Sequence, residues 1–421
     1  MRNILSIVKK ISLLHSGNTE TPTAYELACE IISKIPIDWS NPDICILDPA
    51  CGRGTFLLAV IAKLQECGHS NTQIAKMIYG CDKNKIQWLI AKKALKLALG
   101  VEPNVYYDNS LTRIWDMKFD AVVGNPPFGE SDEDGKRKSI STNLYNKFVD
   151  MSVNELVKED GYVAMITPAS WAGPTKNLSN GRSLLKDIMA KKNTLFINLS
   201  ENIKTHFPSV SSTFSYYVIQ NTDYNGQTAI QFDNQQSVNV DLRNYDSLPR
   251  INNQLAYSIV QKYQSKITGQ VIAGQLQSKK IIKYNSKQNS EFTHLAYHTP
   301  ADGGTFWYTN TPHPNEKDSK VIISLSGKYQ PYADAGNIGF TDMCLAYIVK
   351  SNETLDSAYS VINSKMFHFI MKCNKWSGFN NKEVIRKFAL PTLDHLYTDD
   401  EIYDWFGLTD IERKFVNENA N

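Results

Sequence analysis

No Cys-x-x-Cys pair occurs anywhere in the 421 residues. The seven cysteines, at 29, 45, 51, 67, 81, 344 and 373, are odd in number and scattered. That argues against a disulfide framework and a structural zinc site, and for a reducing, cytoplasmic setting. Histidines such as His15 and His69 show no ligand-like spacing, so no metal is assigned. No apolar run approaches the length that spans a bilayer, and no membrane partner is expected. The stretch Met1 to Leu14 is interrupted by Ser6, Lys9, Lys10 and Ser12, so it predicts an amphipathic helix rather than a signal peptide. Net charge is only +2, so bulk charge does not announce a nucleic-acid partner. Internal repeats and extended low-complexity tracts are missing as well.

What is present reads as folded protein. The apolar fraction of 42% fits a globular chain, and the length is more than one core usually fills. Thr23 to Ile35 has its apolar residues at helical spacing, with Pro22 before it and Pro36 after it. Then come a strand at Ile44–Leu47, a helix at Thr55–Gln65, a strand at Met77–Cys81 and a helix at Lys83–Leu99. Strands at Val105–Tyr107 and Ala121–Val123, a helix at Leu144–Val157 and a strand at Tyr162–Thr167 follow. Thr194–Leu199 and Phe214–Gln220 read as the last two strands. This alternation predicts an α/β fold, a mostly parallel Rossmann-like sheet with helices on both faces. After Asn221 the texture turns rich in Asn, Gln and Asp, which predicts two domains, 1–222 and 223–421, the second of mixed α+β type.

Two strand ends carry the chemistry. Asp48-Pro49-Ala50-Cys51-Gly52-Arg53-Gly54 is a Gly-rich turn between strand and helix, where backbone N–H groups can meet a ligand. Alone it suits a dinucleotide or a purely structural turn equally. Asp82 ends the next strand, where an acid accepts from ribose hydroxyls in nucleoside-binding sheets. Further on, Asn125-Pro126-Pro127-Phe128 follows the buried strand Phe119–Gly124. An exocyclic adenine amine is a poor nucleophile because its lone pair is delocalised into the ring. Such an amine needs acceptors for both its hydrogens, which return density to nitrogen. The Asn125 side chain and the Pro126 carbonyl supply acceptors, the prolines stiffen the turn, and Phe128 offers a face for an extruded base. A rigid turn with no catalytic role is the plainer alternative.

Together these motifs resemble the S-adenosylmethionine-dependent amino-methyltransferases. Most similar are the N6-adenine DNA methyltransferases of restriction-modification systems, in the class whose target recognition domain follows the catalytic domain. The resemblance covers about the first 220 residues. It implies a cofactor site of Thr21, Pro22, Asp48, Ala50, Gly52, Gly54, Asp82, Asp108 and Asn125 for S-adenosyl-L-methionine, without metal. Within that site Asp108 would accept from the cofactor's adenine amine. Arg53 departs from the small residue common there and is left either to the cofactor carboxylate or to solvent. Gly161 to Trp171 resembles the family strand that ends in Pro-Ser-Trp, and Phe207 to Phe214 a segment lining the target-base pocket. Phe207 or Val210 would face the base, with a core role as the alternative.

The C-terminal half resembles adenine methyltransferase recognition domains more loosely, through Val361–Phe367, Ser377–Asn381 and Phe388–Pro391. From Ile251 to Ser290 there are six lysines and no acid, which suits phosphate contacts by Lys279, Lys280 and Lys283 or simply a solvated helix face. Gly336-Asn337-Ile338-Gly339 is a turn able to present a reading loop. The expected partners are double-stranded DNA in the nucleoid and a cognate endonuclease or specificity subunit. Other readings are methylation of an RNA base or a protein glutamine, and a catalytically silent DNA-binding protein.

Overall fold

An apolar run that must hide both faces becomes a strand of a covered parallel sheet. Such runs build the first of two units in the computed structural model of the chain, which describes residues 2–14, 22–129, 144–174, 178, 181–207, 213–232, 236–251, 253–269, 283–301, 304–376 and 378–420. The first unit comprises Met1–Trp171 and Lys176–Arg243, the second Ala172–Thr175 and Asn244–Asn421.

In the first unit the helices α1 (Arg2–Ser12) and α2 (Tyr25–Ser33) precede an α/β alternation. It runs β1 (Ile46–Asp48), α3 (Thr55–Glu66), α4 (Asn71–Met77), β2 (Ile78–Asp82), α5 (Lys85–Leu99), β3 (Asn104–Tyr107) and β4 (Phe119–Gly124). After α6 (Leu144–Met151) come β5 (Val157–Pro168), β6 (Lys192–Asn198), β7 (Phe214–Asp223), β8 (Thr228–Gln231) and β9 (Ser237–Val240). These strands form one nine-stranded sheet in the order β3-β2-β1-β4-β5-β7-β6-β8-β9. β1 to β5 run parallel, whereas β7 is antiparallel to both its neighbours.

Alternation along the strands shows that both faces are covered. Ala121 and Val123 of β4 join a large apolar cluster with α1 to α5, while Val122 between them is fully buried outside that cluster. Ala164 and Ile166 of β5 alternate in the same way with Val163 and Met165. α3 is apolar nearly all round and buried from Phe56 to Ala62, as a helix wedged against a sheet must be. α5 starts at Asn84, whose side chain accepts from the N–H groups of Ile86 and Gln87, and stops at Gly100 in the left-handed region.

Two elements differ from expectation. The helix predicted to Val157 yields at Met151 to a π-helical turn, Ser152–Leu156, and β5 begins at once at Val157. The sheet also continues past Asp223, the last residue of β7, because β8 pairs onto β6 and β9 onto β8, so the first unit closes at Arg243. β9 is the edge of the sheet, where polar residues such as Ser237 and Asn239 are tolerated.

The second unit has two small sheets and a set of helices. β10 (Tyr284–Asn285), β12 (Thr305–Thr309), β11 (His294–Thr299) and β15 (Gly339–Phe340) form one sheet. β14 (Tyr332–Ala335), β13 (Ser319–Ser324) and β16 (Cys344–Ile348) form the other. The helices are α7 (Gln254–Ser265), α8 (Leu355–Ile362), α9 (Lys365–Cys373), α10 (Lys382–Arg386), α11 (Asp399–Phe406) and α12 (Asp410–Asn419). Among the described residues no helix is long and apolar enough to cross a membrane.

Candidate nucleoside and base site

The sheet order brings four chemistry-bearing residues to one edge. Reading across β3, β2, β1 and β4, the strands end at or next to Asp108, Asp82, Asp48 and Asn125. β1 and β4 flank the point where the strand order reverses, which is where open α/β sheets leave a crevice for ligands.

The Gly-rich turn is tied into this edge by its own backbone. Gly52 N–H donates to Asp82 Oδ2 at 2.8 Å, and Asn84 N–H donates to Asp82 Oδ1 at 2.7 Å. Cys51 N–H donates to the Cys81 carbonyl at 3.0 Å. Gly54 holds φ +86° as it enters α3, a conformation an L side chain rarely adopts. Asp48 is 2% exposed and accepts the Ala50 N–H at 3.1 Å. Burial pushes its carboxyl up to about 8; the Ala50 N–H opposes this rise and the neighbouring Asp82 charge adds to it. Gly124 has φ +151°, and a Cβ there would meet Asp48 Oδ1 at 2.7 Å. The close approach of β4 to the Asp48 carboxyl therefore demands glycine.

Asn125 is half-buried, and its Nδ2 donates to Thr23 Oγ1 at 3.0 Å. That bond sets the amide plane and turns the oxygen arm away from Thr23. Pro126 is buried and Pro127 half-buried. The half-buried Phe128 ring lies 5.4 Å from Phe214, and Phe214 is stacked on Phe207 at 4.2 Å. Phe207 is 2% exposed and packs in the core cluster, with Phe214 as its ring partner. Pro22 is exposed, whereas Thr21 and Val210 lie outside the described residues.

Two residues behave differently from their sequence reading. Thr23, not singled out by the motifs, is the side chain that meets Asn125; its place just before the amphipathic α2 was the available signal. Arg53 goes neither to solvent nor to the strand-end crevice. It is 9% exposed, and its Nη1 donates to the carbonyls of Ile11 at 2.9 Å and Leu14 at 2.7 Å, at the C-terminal end of α1. A guanidinium suits the negative end of a helix.

In the second unit Lys283 is exposed, while Lys279 and Lys280 lie outside the described residues. The turn Gly336–Gly339 presents an exposed Asn337 above a buried pair, Lys320 Nζ to Asp334 Oδ2 at 2.5 Å. Asp334 also accepts the N–H groups of Gly336 at 3.3 Å and Asn337 at 3.1 Å. The motif residues Phe367, Phe388 and Ala389 are core, at most 1% exposed.

Residues 83–199 match the family model of the Eco57I restriction-modification methylases. The chain is 28% identical over 169 residues to the type I restriction enzyme EcoEI methylase subunit of Escherichia coli, covering 37% of this chain and 33% of that protein. It is 32% identical over 117 residues to an uncharacterized adenine-specific methylase of Mycoplasma pneumoniae, covering 27% of this chain and 26% of that protein. The chain thus spans a third or less of the length of these relatives. A solved structure of a nuclease-deletion mutant of the Type ISP restriction-modification enzyme LlaGI, in complex with a DNA substrate mimic, aligns over 96% of this chain and 47% of its own, with TM-score 0.57 and 13% identity. That likeness is one of fold, and it extends through both units. Residues 83–199 thus resemble the Eco57I restriction-modification methylases, and they lie in the open α/β sheet whose edge carries the acids and Asn125.

Proposed function

We propose that this chain is a site-specific DNA adenine N6-methyltransferase that uses S-adenosyl-L-methionine. The observation that carries the reading is the row Asp108, Asp82, Asp48 and Asn125 along one sheet edge, with Asn125 fixed by Thr23.

The residues present fit such a cofactor. Asp48 is a buried carboxyl with no cationic side chain paired to it among the described residues, an acceptor that suits a ligand carrying positive charge. Asp82 and Asp108 are half-buried carboxylates at successive strand ends, suited to ribose hydroxyls and a purine amine. Pro22, Ala50, Gly52 and Gly54 would complete the site, with Thr21 preceding them. When bound, the cofactor supplies an electrophilic methyl group on a sulfonium.

The chain's own residues do the rest. Asn125 Oδ1 and the Pro126 carbonyl accept the two hydrogens of the target amine, so the nitrogen lone pair turns outward from the ring. The proline pair holds both acceptors against a rigid strand end, which avoids reorganisation during the reaction. Phe128 gives the extruded base a face to stack on, backed by Phe214 and Phe207. The second unit is proposed as the DNA target recognition domain, with Lys283 and the Asn337 turn among its candidate contacts. A cognate endonuclease or specificity subunit is the proposed protein partner.

A tritiated-methyl transfer assay with DNA, RNA and protein acceptors tests this. Label is expected in DNA adenine, and Asn125→Ala should lower the rate about 10²–10³-fold with cofactor binding spared. Label in RNA or in glutamine, or a wild-type rate for Asn125→Ala on DNA, overturns the reading.

A further inference from the structure

Asp108 does not stand alone at the end of β3. Arg113 Nη1 lies 2.9 Å from Asp108 Oδ2. The chain between them is a closed turn: Thr112 and Arg113 donate their N–H groups to the Asn109 carbonyl at 3.0 and 2.9 Å. Its guanidinium carbon sits 4.0 Å from the Tyr106 ring centroid and 4.8 Å from that of Trp115. Those rings meet edge to face at 5.9 Å, and Trp115 rests in the same way on the fully buried Phe119 at 5.3 Å. The aromatic box is thus anchored in the sheet itself.

A guanidinium held against two rings has lost much of its water, and its strongest remaining partner is a carboxylate. Arg113 Nε is buried and has no hydrogen-bond partner among the described residues, so the charge is directed through Nη1 to Asp108. The second Asp108 oxygen takes the Asn109 N–H at 2.8 Å. The backbone is held too: Asp108 N–H donates to the Asp82 carbonyl at 3.2 Å. Asn109 first and Arg113 second hold the Asp108 carboxyl below the usual carboxylate range. An ionised carboxylate offers about four lone-pair directions. Two are occupied, and the side chain is 43% exposed, so the remaining directions can receive an outside N–H donor.

We propose that Arg113 is a positioning residue that fixes the plane of the Asp108 carboxylate, so that the site accepts a 6-aminopurine and rejects a 6-oxopurine. The inference rests on the proposed reading of this sheet edge as a nucleoside site. An amine donates to the held carboxylate. A 6-oxo group would place acceptor against acceptor, and a carboxylate that cannot rotate cannot relieve that repulsion. Losing Arg113 frees the carboxylate to turn, so the choice between the two purines should fade.

Calorimetry on the full chain with S-adenosylhomocysteine and its deaminated counterpart, S-inosylhomocysteine, tests this. Wild type should prefer the adenosyl ligand. Arg113→Gln should lose about tenfold in adenosyl affinity and change inosyl affinity less than about twofold. Arg113→Lys keeps the charge without the planar fork and should retain part of the preference. Equal losses for both ligands, or an unchanged preference in both variants, overturn the positioning role. Wild-type protein that binds neither ligand overturns the nucleoside site itself, and with it this inference.

Discussion

The two units bury carboxylates equally deeply and treat them in opposite ways. In the first, Asp48 is 2% exposed, and burial raises its carboxyl to about 8 against the weak opposition of one backbone N–H. In the second, Glu412 is 3% exposed. Burial raises it too, but Lys262 at 2.6 Å, Ser258 and Thr409 outweigh that and hold it at about 2. Asp334, 5% exposed, rests on the fully buried Lys320 and on three backbone N–H groups. Burying a charge without a partner is costly, so a fold normally completes the pair. The second unit does so and gains a fixed turn and a fixed helix start. The first, among the described residues, leaves Asp48 without a cation at the strand-order switch point, where the proposed cofactor would complete it.

The contrast is tested most severely at Lys320. Lys320→Ala strands Asp334 in the interior and should cost about 3–5 kcal/mol, read as a fall in the urea midpoint. Lys320→Met paired with Asp334→Leu should recover most of that loss if the pair serves only stability. Glu412→Gln removes a charge-assisted bond to Lys262 and should cost about 1.5–3 kcal/mol at pH 7. Its folded carboxyl lies below the unfolded value, so this stability is present above about pH 4.3 and lost as pH falls toward about 2. The difference between wild type and variant should therefore vanish in acid.

Asp48 predicts the reverse slope. Its folded carboxyl lies above the unfolded value, so the folded state binds the extra proton. Stability linked to this group is full below about pH 4 and declines as pH rises toward about 8. Asp48→Asn should remove the decline, leaving the variant more stable than wild type at pH 8 and similar to it at pH 4.5. Melting curves across that range check it, and a variant less stable at pH 8 breaks the comparison. The smallest effect is expected at Arg53. Arg53→Gln loses the charge at the end of α1 and should cost about 0.5–1 kcal/mol, with reduced hydrogen-exchange protection in α1.

Legibility in the sequence differed from region to region for physical reasons. The β1–α3–β2–α5 run was legible because apolar runs and a Gly turn act locally. The acids at the strand ends were legible because each follows its strand directly. β8 and β9 were not, since four-residue strands with alternate polar residues carry little apolar signal. Within the looser C-terminal motifs Phe367 and Phe388 are core, which the sequence left open, because an aromatic in a motif does not declare which side of the chain it faces.

By itself, then, the sequence determined most elements of the first unit up to β7, the strand-end row of Asp48, Asp82, Asp108 and Asn125, and the turn chemistry around them. Only the tertiary structure decided the partners. Thr23 meets Asn125 across 102 positions, Arg53 reaches back 42 positions to Ile11, and Lys158 pairs with Asp120 across 38. Local spacing sets backbone conformation over a few residues. Side-chain pairing depends on which strands the sheet places side by side, and that order is a property of the whole packed core.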